Sequence, residues 1–207
     1  MNRFPVGRII SLVVVALALL VALLAGWRYF VLSRAADALP VNTRMGGDFV
    51  LPSTRDVPLE LRQLRGKVVL LNFGFASCPD VCPTVLARLR QVIGELGPDA
   101  ARAQVVFVSF DPARDTMAHL KGYVAHFHPD IIGATGSDAE IAAVAKKYGV
   151  VYLKEDTGSA AGYGFAHSDY IYLLDTEGRV RKLYDNQAPT TQISADVRTL
   201  LAADGVF

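Results

Sequence analysis

The chain has 207 residues, which suits one ordinary domain with an appendage and is short for a multidomain enzyme. Its 21 lysine and arginine residues nearly cancel its 20 aspartate and glutamate residues, so it lacks the net basic charge that favours binding to nucleic acid. The presence of only two cysteines excludes a disulfide-rich scaffold and any single-chain zinc or iron–sulfur site that needs four cysteines.

The N-terminal part of the chain carries nearly all of its excess hydrophobicity. The mean hydropathy is +0.30, and most of it comes from the uncharged run IISLVVVALALLVALLAGW at residues 9–27. As a helix this run is about 28 Å long, close to the ~30 Å hydrocarbon core of a bilayer. Arg3 and Arg8 precede it, and Trp27 and Tyr29 stand at its end as an interfacial aromatic belt would. The pattern favours a transmembrane helix over a buried core helix.

We expect this segment to be an uncleaved anchor rather than a cleaved signal peptide. A signal peptide has a shorter apolar core with small residues close behind it, whereas the candidate site Ala36-Asp37-Ala38 lies well downstream. The chain is then expected to cross a bacterial-type inner membrane once, with its globular domain on the periplasmic side. The expected divisions are a cytoplasmic N-terminus at residues 1–8, a transmembrane anchor at 9–32, a linker at 33–46 and the globular domain at 47–207.

The rest of the chain alternates strand patterns with helix patterns. Buried strands are predicted from continuous apolar runs at residues 67–73, 104–110 and 131–134. Helices are predicted at 83–96, 115–127 and 138–148, the last opened by a capping box at Ser137 and closed at Gly149. A strand-like stretch at 150–153, a hairpin at 169–184 and a final helix from Thr190 or Thr191 follow. This order predicts a three-layer α/β domain.

Both cysteines lie in the segment SCPDVCP at residues 77–83, between the first predicted strand and the helix after it. Such a junction is at the carboxyl edge of a sheet, where the sites of α/β proteins form, and a helix N-terminus lowers the pKa of a thiol. Cys78 and Cys82 can converge on one ion or close a disulfide. A purely structural disulfide would close a loop of only about five residues and contribute little chain entropy. We therefore interpret the pair as functional.

The four histidines are the candidates for a further ligand. His119, His126 and His128 lie within or at the end of the predicted helix 115–127, where a surface histidine is ordinary. His167 stands just before the predicted hairpin, whose first strand an α/β sheet can place beside the cysteine loop. Spacing alone leaves His167 as a candidate.

Several segments resemble the Sco/SenC (PrrC-like) family. They are GFASCPDVCP at residues 74–83, VFVSFDPARDT at 106–116, IGATG at 132–136 and His167-Ser168 before a Tyr-Leu-Leu strand, and the resemblance covers about residues 47–201. It implies a thioredoxin-like fold on a membrane anchor, with Cys78, Cys82 and His167 as copper ligands. Independently, two thiolates and an imidazole suit Cu(I), although zinc accepts the same donors, usually with a fourth ligand.

The resemblance also implies a function. The expected protein is a metallochaperone that helps to load the binuclear copper centre of apo subunit II of cytochrome c oxidase. It would carry Cu(I), with Cu(II) as a second state, and it needs a copper donor and a thiol reductant that the sequence does not identify. The alternative is a thiol–disulfide reductase or redox sensor in which Cys78 and Cys82 form the redox-active pair. Such reductases carry a cis-proline where this chain has Ala166-His167-Ser168, and this difference favours metal binding.

Some positions depart from the family pattern or match it without a clear role. The residue before the histidine is usually acidic and is Ala166 in this chain, so Asp169 is a candidate substitute. Asp111, Arg114 and Asp115 match a family signature. A strand–helix loop held by an Arg–Asp pair is favoured for them over a direct role in copper binding.

Overall fold

A long N-terminal helix precedes an α/β domain in the computed structural model, which describes residues 6–37, 39–156, 158 and 162–204. Helix α1 (Val6–Asp37) contains one stretch, Ile10–Val31, that is long and apolar enough to cross a membrane. None of this stretch is buried against the domain, as expected of a helix that lipid covers. The expected cytoplasmic segment lies mostly outside the described residues, and the sidedness of the helix stays a prediction.

The segment predicted as a linker, residues 33–46, is partly helical and partly packed on the domain. Its first part belongs to α1, which continues beyond the expected boundary at residue 32. Leu39 is buried, and its carbonyl accepts a hydrogen bond from Arg181 at 2.5 Å. The amide of Asn42 donates to the carbonyl of Val180 at 2.7 Å. The packed domain therefore starts near residue 39 rather than 47, because this segment finds an apolar site and backbone partners.

The elements of the domain follow the predicted order. The helices after α1 are α2 (Val81–Leu96), α3 (Met117–Phe127), α4 (Asp138–Tyr148) and α5 (Thr190–Asp204), with short 3-10 helices at Leu61–Leu64 and Gly97–Arg102. The strands are β1 (Val50–Leu51), β2 (Leu59–Glu60), β3 (Val68–Gly74), β4 (Ala103–Ser109), β5 (Ile132–Ala134), β6 (Tyr152–Asp156), β7 (Tyr163–His167), β8 (Ile171–Leu174) and β9 (Val180–Tyr184).

A five-stranded sheet with the order β5-β4-β3-β8-β9 forms the centre of the domain. Strand β3 is parallel to β4 and antiparallel to β8, and it is buried along its whole length. The ring of Phe73 packs against Tyr148 of α4 at 5.7 Å between centroids, whereas a Cβ on Gly74 would meet Cys82 of α2 at 2.7 Å. Successive residues of a strand face opposite sides. Helices α2 and α4 therefore cover opposite faces, and the predicted three-layer α/β domain is confirmed.

Strands β6 and β7 form a separate antiparallel hairpin outside the central sheet. The sequence predicted a strand near residues 150–153, and the structure starts it two residues later at Tyr152. Strand β7 was not predicted, because Gly164 and Ala166 interrupt its apolar pattern. Tyr152 pairs with His167 in this hairpin, so the hairpin sets the position of the histidine.

Helix α4 ends before Gly149, as its sequence predicts, and this glycine gives a test of local stability. Gly149 follows the last residue in the left-handed conformation, with φ of 65°. We expect Gly149→Ala to lower the free energy of unfolding by about 1 kcal/mol, because a Cβ disfavours this conformation. Gly94, inside α2 with open space around it, is the matched control, and Gly94→Ala should raise stability by about 0.5–1 kcal/mol. Urea unfolding of the full chain in detergent measures both, and equal losses at both positions would contradict this account.

Candidate metal centre

Cys78, Cys82 and His167 meet beside the carboxyl end of β3. Cys78 lies in the loop after that strand, Cys82 in the first turn of α2, and His167 at the last position of β7. Their two Sγ atoms and a ring nitrogen all lie within 4.8 Å of one another, and Cys82 Sγ is 3.9 Å from His167 Nε2. The structure therefore brings together all three residues that the sequence singled out as metal ligands.

The start of α2 orients the first cysteine. Asp80 occupies the N-cap position, but its side chain accepts no capping hydrogen bond. The backbone N–H of Cys82 instead points at Cys78 Sγ, 3.5 Å away. First-turn N–H groups have no helical partner and carry a partial positive charge. The sulfur of Cys78 thus stands where a capping oxygen normally would, and this favours its thiolate form.

The two thiols are shifted in opposite directions. Hydrogen bonding from Cys82 lowers the pKa of Cys78 to about 3, with help from His167 and against the effect of partial burial. The pKa of Cys82 is raised, because this thiol donates to Cys78 and is buried. The site therefore holds a thiolate at neutral pH, which is the form that binds soft metal ions.

A hydrogen bond and two aromatic rings fix the orientation of His167. Its Nδ1 lies 3.0 Å from the carbonyl oxygen of Ser168. Because that oxygen is an acceptor, Nδ1 carries a proton and Nε2 faces the cysteines. The ring packs edge to face against Phe75 and Phe110 at 6.0 and 5.1 Å between centroids. Burial acts to lower the pKa of His167, but its hydrogen bonds with Cys78 and Ser168 leave that pKa raised.

The three donors differ in their access to solvent. Cys82 is only 1% exposed, whereas Cys78 and His167 are half-buried. An ion or a partner's ligand can therefore reach the site from the side of Cys78 and His167, with Cys82 at its base.

The other histidines lie elsewhere, as the sequence predicted. His119 Nδ1 lies 3.3 Å from the carbonyl oxygen of Arg114, and His126 is exposed on α3. His128 stands 3.9 Å from a carboxylate oxygen of Asp130. Within the described ranges, Cys78, Cys82 and His167 form the one group of three or more histidine, cysteine, aspartate or glutamate side chains that lie close enough together to hold a metal ion.

Asp169 lies close enough to His167 for its charge to act on the ring. Burial raises the pKa of Asp169, while Asn186 and His167 oppose that shift. Ala166, where the family usually has an acid, is exposed, and it faces the opposite side of β7 from its neighbour His167. The structure thus places the carboxyl group of Asp169 near the histidine, whereas a side chain at position 166 would point to the other face of β7.

The signature residues of the β4–α3 loop lie behind the cysteines and do not join them. The carboxylate of Asp115 accepts hydrogen bonds from the backbone N–H of Ala76 at 2.8 Å and from Ser109 at 2.5 Å. Arg114 pairs with Asp111 at 2.5 Å, so the Arg–Asp pair expected in this loop is confirmed. Asp115 thereby fixes the backbone two residues before Cys78.

Sequence reasoning missed the aromatic residues that surround His167. Phe110 stacks on Tyr152 at 4.8 Å between centroids, and Phe165 lies 5.2 Å from Phe75 and 5.1 Å from Phe110. These rings cover one side of the imidazole and restrict its movement. A signal was present in the sequence, because Phe75 follows the predicted strand 67–73 by two residues and Phe110 closes the predicted strand 104–110, next to where the site was expected.

Comparisons with known proteins agree with this geometry. Residues 37–202 match the SCO1/SenC family model. A SCO2-like protein of Rickettsia felis is 37% identical over 142 residues, which cover 68% of this chain and 69% of the relative. Copper-bound ScoI of Arabidopsis thaliana is 34% identical with a TM-score of 0.70, covering 75% of this chain and 97% of that one. Copper-bound ScoI of Bradyrhizobium japonicum is 35% identical with a TM-score of 0.70, covering 75% and 99%.

A more distant structure shares the fold. BsSco, described as a member of the Sco family of cytochrome c oxidase assembly proteins with a disulfide switch, is 24% identical with a TM-score of 0.65, covering 78% of this chain and 96% of BsSco. The thioredoxin-like fold implied by the motifs is confirmed by these structures. Since the family model spans the whole domain and its copper-bound members share the fold, the chain belongs to the SCO1/SenC family.

Proposed function

We propose that this chain is a membrane-anchored copper chaperone that loads the binuclear copper centre of apo subunit II of cytochrome c oxidase. The observation that carries the proposal is the convergence of Cys78, Cys82 and His167 within 4.8 Å. Copper bound in related structures supports copper as the cargo, and the description of BsSco supports the oxidase as the target.

The donor set selects copper by its chemistry. Two thiolates and an imidazole are soft or borderline donors, which Cu(I) prefers and hard ions do not. Zinc accepts the same donors but is almost always held by four of them in structural sites. No fourth histidine, cysteine or carboxylate joins the three in the described part of the chain. Cu(I), with Cu(II) as a second state, is therefore the expected cargo.

The arrangement suits delivery by ligand exchange. The half-exposed Cys78 is the donor that a partner's thiolate or imidazole can replace first. Cys82 and His167 then hold the ion until the partner supplies further donors, so the ion is never released to water. Loading from a copper donor runs the same exchanges in reverse. Outside the cytoplasm both cysteines also need a thiol reductant to stay available.

Residues 9–32 would place this exchange at the membrane that holds the oxidase. A single span with its short basic end in the cytoplasm puts the domain on the periplasmic side of a bacterial-type inner membrane. Transfer then occurs between two proteins confined to one surface.

One observation favours thiol–disulfide exchange as a second candidate function. Cys78 is half-exposed with a lowered pKa, and the buried Cys82 lies beside it. The Cys78 thiolate would attack a target disulfide and release one target thiolate. Cys82 would then attack Cys78, release the second target thiolate and leave a Cys78–Cys82 disulfide. Two electrons pass to the target, and an external thiol reductant restores the pair. None of these steps uses His167.

Deletion of the gene tests the proposal and separates the two candidates. We expect membranes of the deletion strain to lose most cytochrome c oxidase activity at low copper and to regain part of it with added copper. Full-length protein should restore activity, and a variant with Cys78→Ser and Cys82→Ser should not.

The histidine decides between the candidates in the same strain. A chaperone requires His167, so His167→Ala should fail to restore oxidase activity at low copper, whereas a reductase would still function. The exposed His126 gives the matched control, since His126→Ala should restore activity fully. Full oxidase activity in the deletion strain at low copper would refute the chaperone function.

A further inference from the structure

The hairpin that carries His167 is attached to the domain by side chains. Strands β6 and β7 pair with each other and not with the central sheet. The described backbone hydrogen bonds of residues 152–156 and 163–167 run within the hairpin. Apart from the short chain connections to α4 and β8, contacts that involve side chains therefore help to set the distance from His167 to the two cysteines.

A closed set of polar contacts holds Tyr163, the first residue of β7, at the opposite end of the strand from His167. Arg114 Nη1 donates to the carbonyl oxygen of Tyr163 at 2.9 Å, and Arg114 Nε donates to Asp111 at 2.5 Å. The hydroxyl of Tyr163 donates to the other carboxylate oxygen of Asp111 at 2.8 Å. The guanidinium also lies 3.8 Å from the centre of the Tyr163 ring. We refer to Asp111, Arg114 and Tyr163 together as the arginine brace.

The arginine brace is built from strong and partly dehydrated interactions. Asp111 is only 2% exposed, and its bond with Arg114 is charge-assisted on both sides. Removing one partner of such a pair leaves an uncompensated charge away from water. The planar guanidinium satisfies a carboxylate and a carbonyl at once, which the single ammonium group of lysine does not reproduce.

The loop that supplies the brace also holds the cysteine side of the site. Asp115, the next residue after Arg114, accepts the backbone N–H of Ala76 at 2.8 Å. Ala76 precedes Cys78 by two residues. One short loop therefore holds both the strand of His167 and the backbone that leads to the cysteines. The geometry of this loop affects the distance from His167 to Cys78 and Cys82.

We propose that Arg114 is a positioning residue for the metal site, which acts through Tyr163 and β7 to hold His167 over Cys78 and Cys82. Tyr163 and His167 lie on the same face of β7, about 13 Å apart along the strand. A displacement of about 0.5 Å is enough to impair a ligand's geometry. This inference rests on the proposed function, because it concerns the ion that the three donors hold.

The test measures copper binding by reduced full-length protein in detergent. Arg114→Gln keeps a hydrogen-bonding side chain but removes the charge and the double contact. We expect its Cu(I) affinity, from competition with a chelator of known affinity, to fall about tenfold or more. After loading with Cu(II), the thiolate-to-copper absorption band should shift in position or intensity. Oxidation to the Cys78–Cys82 disulfide should proceed as in the unmodified chain, because neither cysteine lies on the hairpin.

A matched arginine controls for loss of stability alone. Arg181 pairs with Asp175 at 3.1 Å, and these side chains are 13% and 5% exposed. This pair lies at the opposite end of the sheet, since Leu174 pairs with Val69 near the start of β3. Arg181→Gln should reduce stability and leave both the copper affinity and the absorption band unchanged.

A double variant shows whether the brace acts through the histidine. Combining Arg114→Gln with His167→Ala should weaken Cu(I) binding no further than His167→Ala alone, because the brace then has no ligand to position. Additive losses, or an unchanged affinity and absorption band in folded Arg114→Gln, would overturn the inference.

If Arg114→Gln does not fold, Tyr163→Phe decides, since it removes only the hydroxyl bond to Asp111. An affinity about threefold weaker supports the brace, and an unchanged affinity overturns it. If the unmodified chain and His167→Ala bind Cu(I) equally, the proposed function fails and this inference with it. If His167→Ala binds Cu(I) weakly while the brace variants bind it as tightly as the unmodified chain, the inference fails and the proposed function stands.

Discussion

Replacing His167 with alanine is expected to weaken Cu(I) binding by more than about 100-fold, or about 2.7 kcal/mol. Loss of a residue that merely supports a ligand costs about 10–100-fold in metal affinity, and loss of the ligand itself should cost more. The hydrogen bond of Nδ1 to Ser168 and the packing on Phe110 hold Nε2 ready for the ion. Alanine removes a donor that is already oriented, and the two sulfurs are left to hold Cu(I) alone.

The same substitution should leave the chemistry of the two cysteines largely intact. Cys78 lies in the loop before α2 and Cys82 in the first turn of α2, so neither cysteine belongs to the hairpin that carries His167. His167 lowers the pKa of Cys78, so that pKa should rise when the imidazole is lost. The larger lowering comes from Cys82, which remains, and Cys78 should still be a thiolate at pH 7. Titration of the ultraviolet absorbance of the thiolate measures this shift.

Anaerobic Cu(I) titration and controlled oxidation of the same preparations give the two readouts. His126→Ala, an exposed histidine on α3, should bind one Cu(I) per chain with unchanged affinity. Unaltered affinity in His167→Ala would show that this residue is not a ligand. Failure of His167→Ala to form the disulfide would show that the histidine also positions the cysteines, contrary to the separation of the two elements.

The parts of the fold that the sequence predicted are those whose stability comes from local pattern. Strands β3 and β4 are continuous apolar runs, and the capping box at Ser137 and the glycine at position 149 mark the ends of α4. Strand β7 has no such pattern, because it is half-exposed and lies apart from the central sheet. Its stability comes from tertiary contacts such as that of Phe165 with Phe110, which no local pattern encodes.

The candidate site likewise has features that the sequence predicted and features that it did not. The cysteines were predicted as functional from their place between a strand and a helix. His167 follows Cys82 by 85 positions; its place before a predicted strand left it a candidate, and the family resemblance indicated that the two meet. The link from Arg114 to Tyr163 spans 49 positions and was not predicted, although the Arg–Asp pair within the loop was. Local sequence thus indicated which residues are candidates for chemistry, while the long-range contacts that align them required the structure.

Gly74→Ala is expected to damage both stability and copper binding, because this glycine leaves room for Cys82, a proposed copper ligand. A Cβ at this position would lie 2.7 Å from Cys82 Sγ and 2.9 Å from a ring carbon of Phe107. The backbone cannot easily withdraw, since Gly74 pairs with Ser109 and its carbonyl accepts the N–H of Phe110 at 3.0 Å. The sulfur must therefore move. We expect a loss of about 1–3 kcal/mol in the free energy of unfolding and Cu(I) affinity at least about tenfold weaker.

Gly122→Ala is the matched control for Gly74→Ala. Gly122 lies within α3, and nothing stands within 4 Å of an added Cβ. Alanine there should raise stability by about 0.5–1 kcal/mol and leave copper binding unchanged. Chemical unfolding in detergent and chelator competition measure the two effects on the same preparations. Normal copper affinity in a destabilised Gly74→Ala protein would mean that Phe107 yields instead of Cys82. The close contact of Gly74 with Cys82 and Phe107 would then matter for the packing of the core, and the position of the Cys82 sulfur would not depend on the glycine.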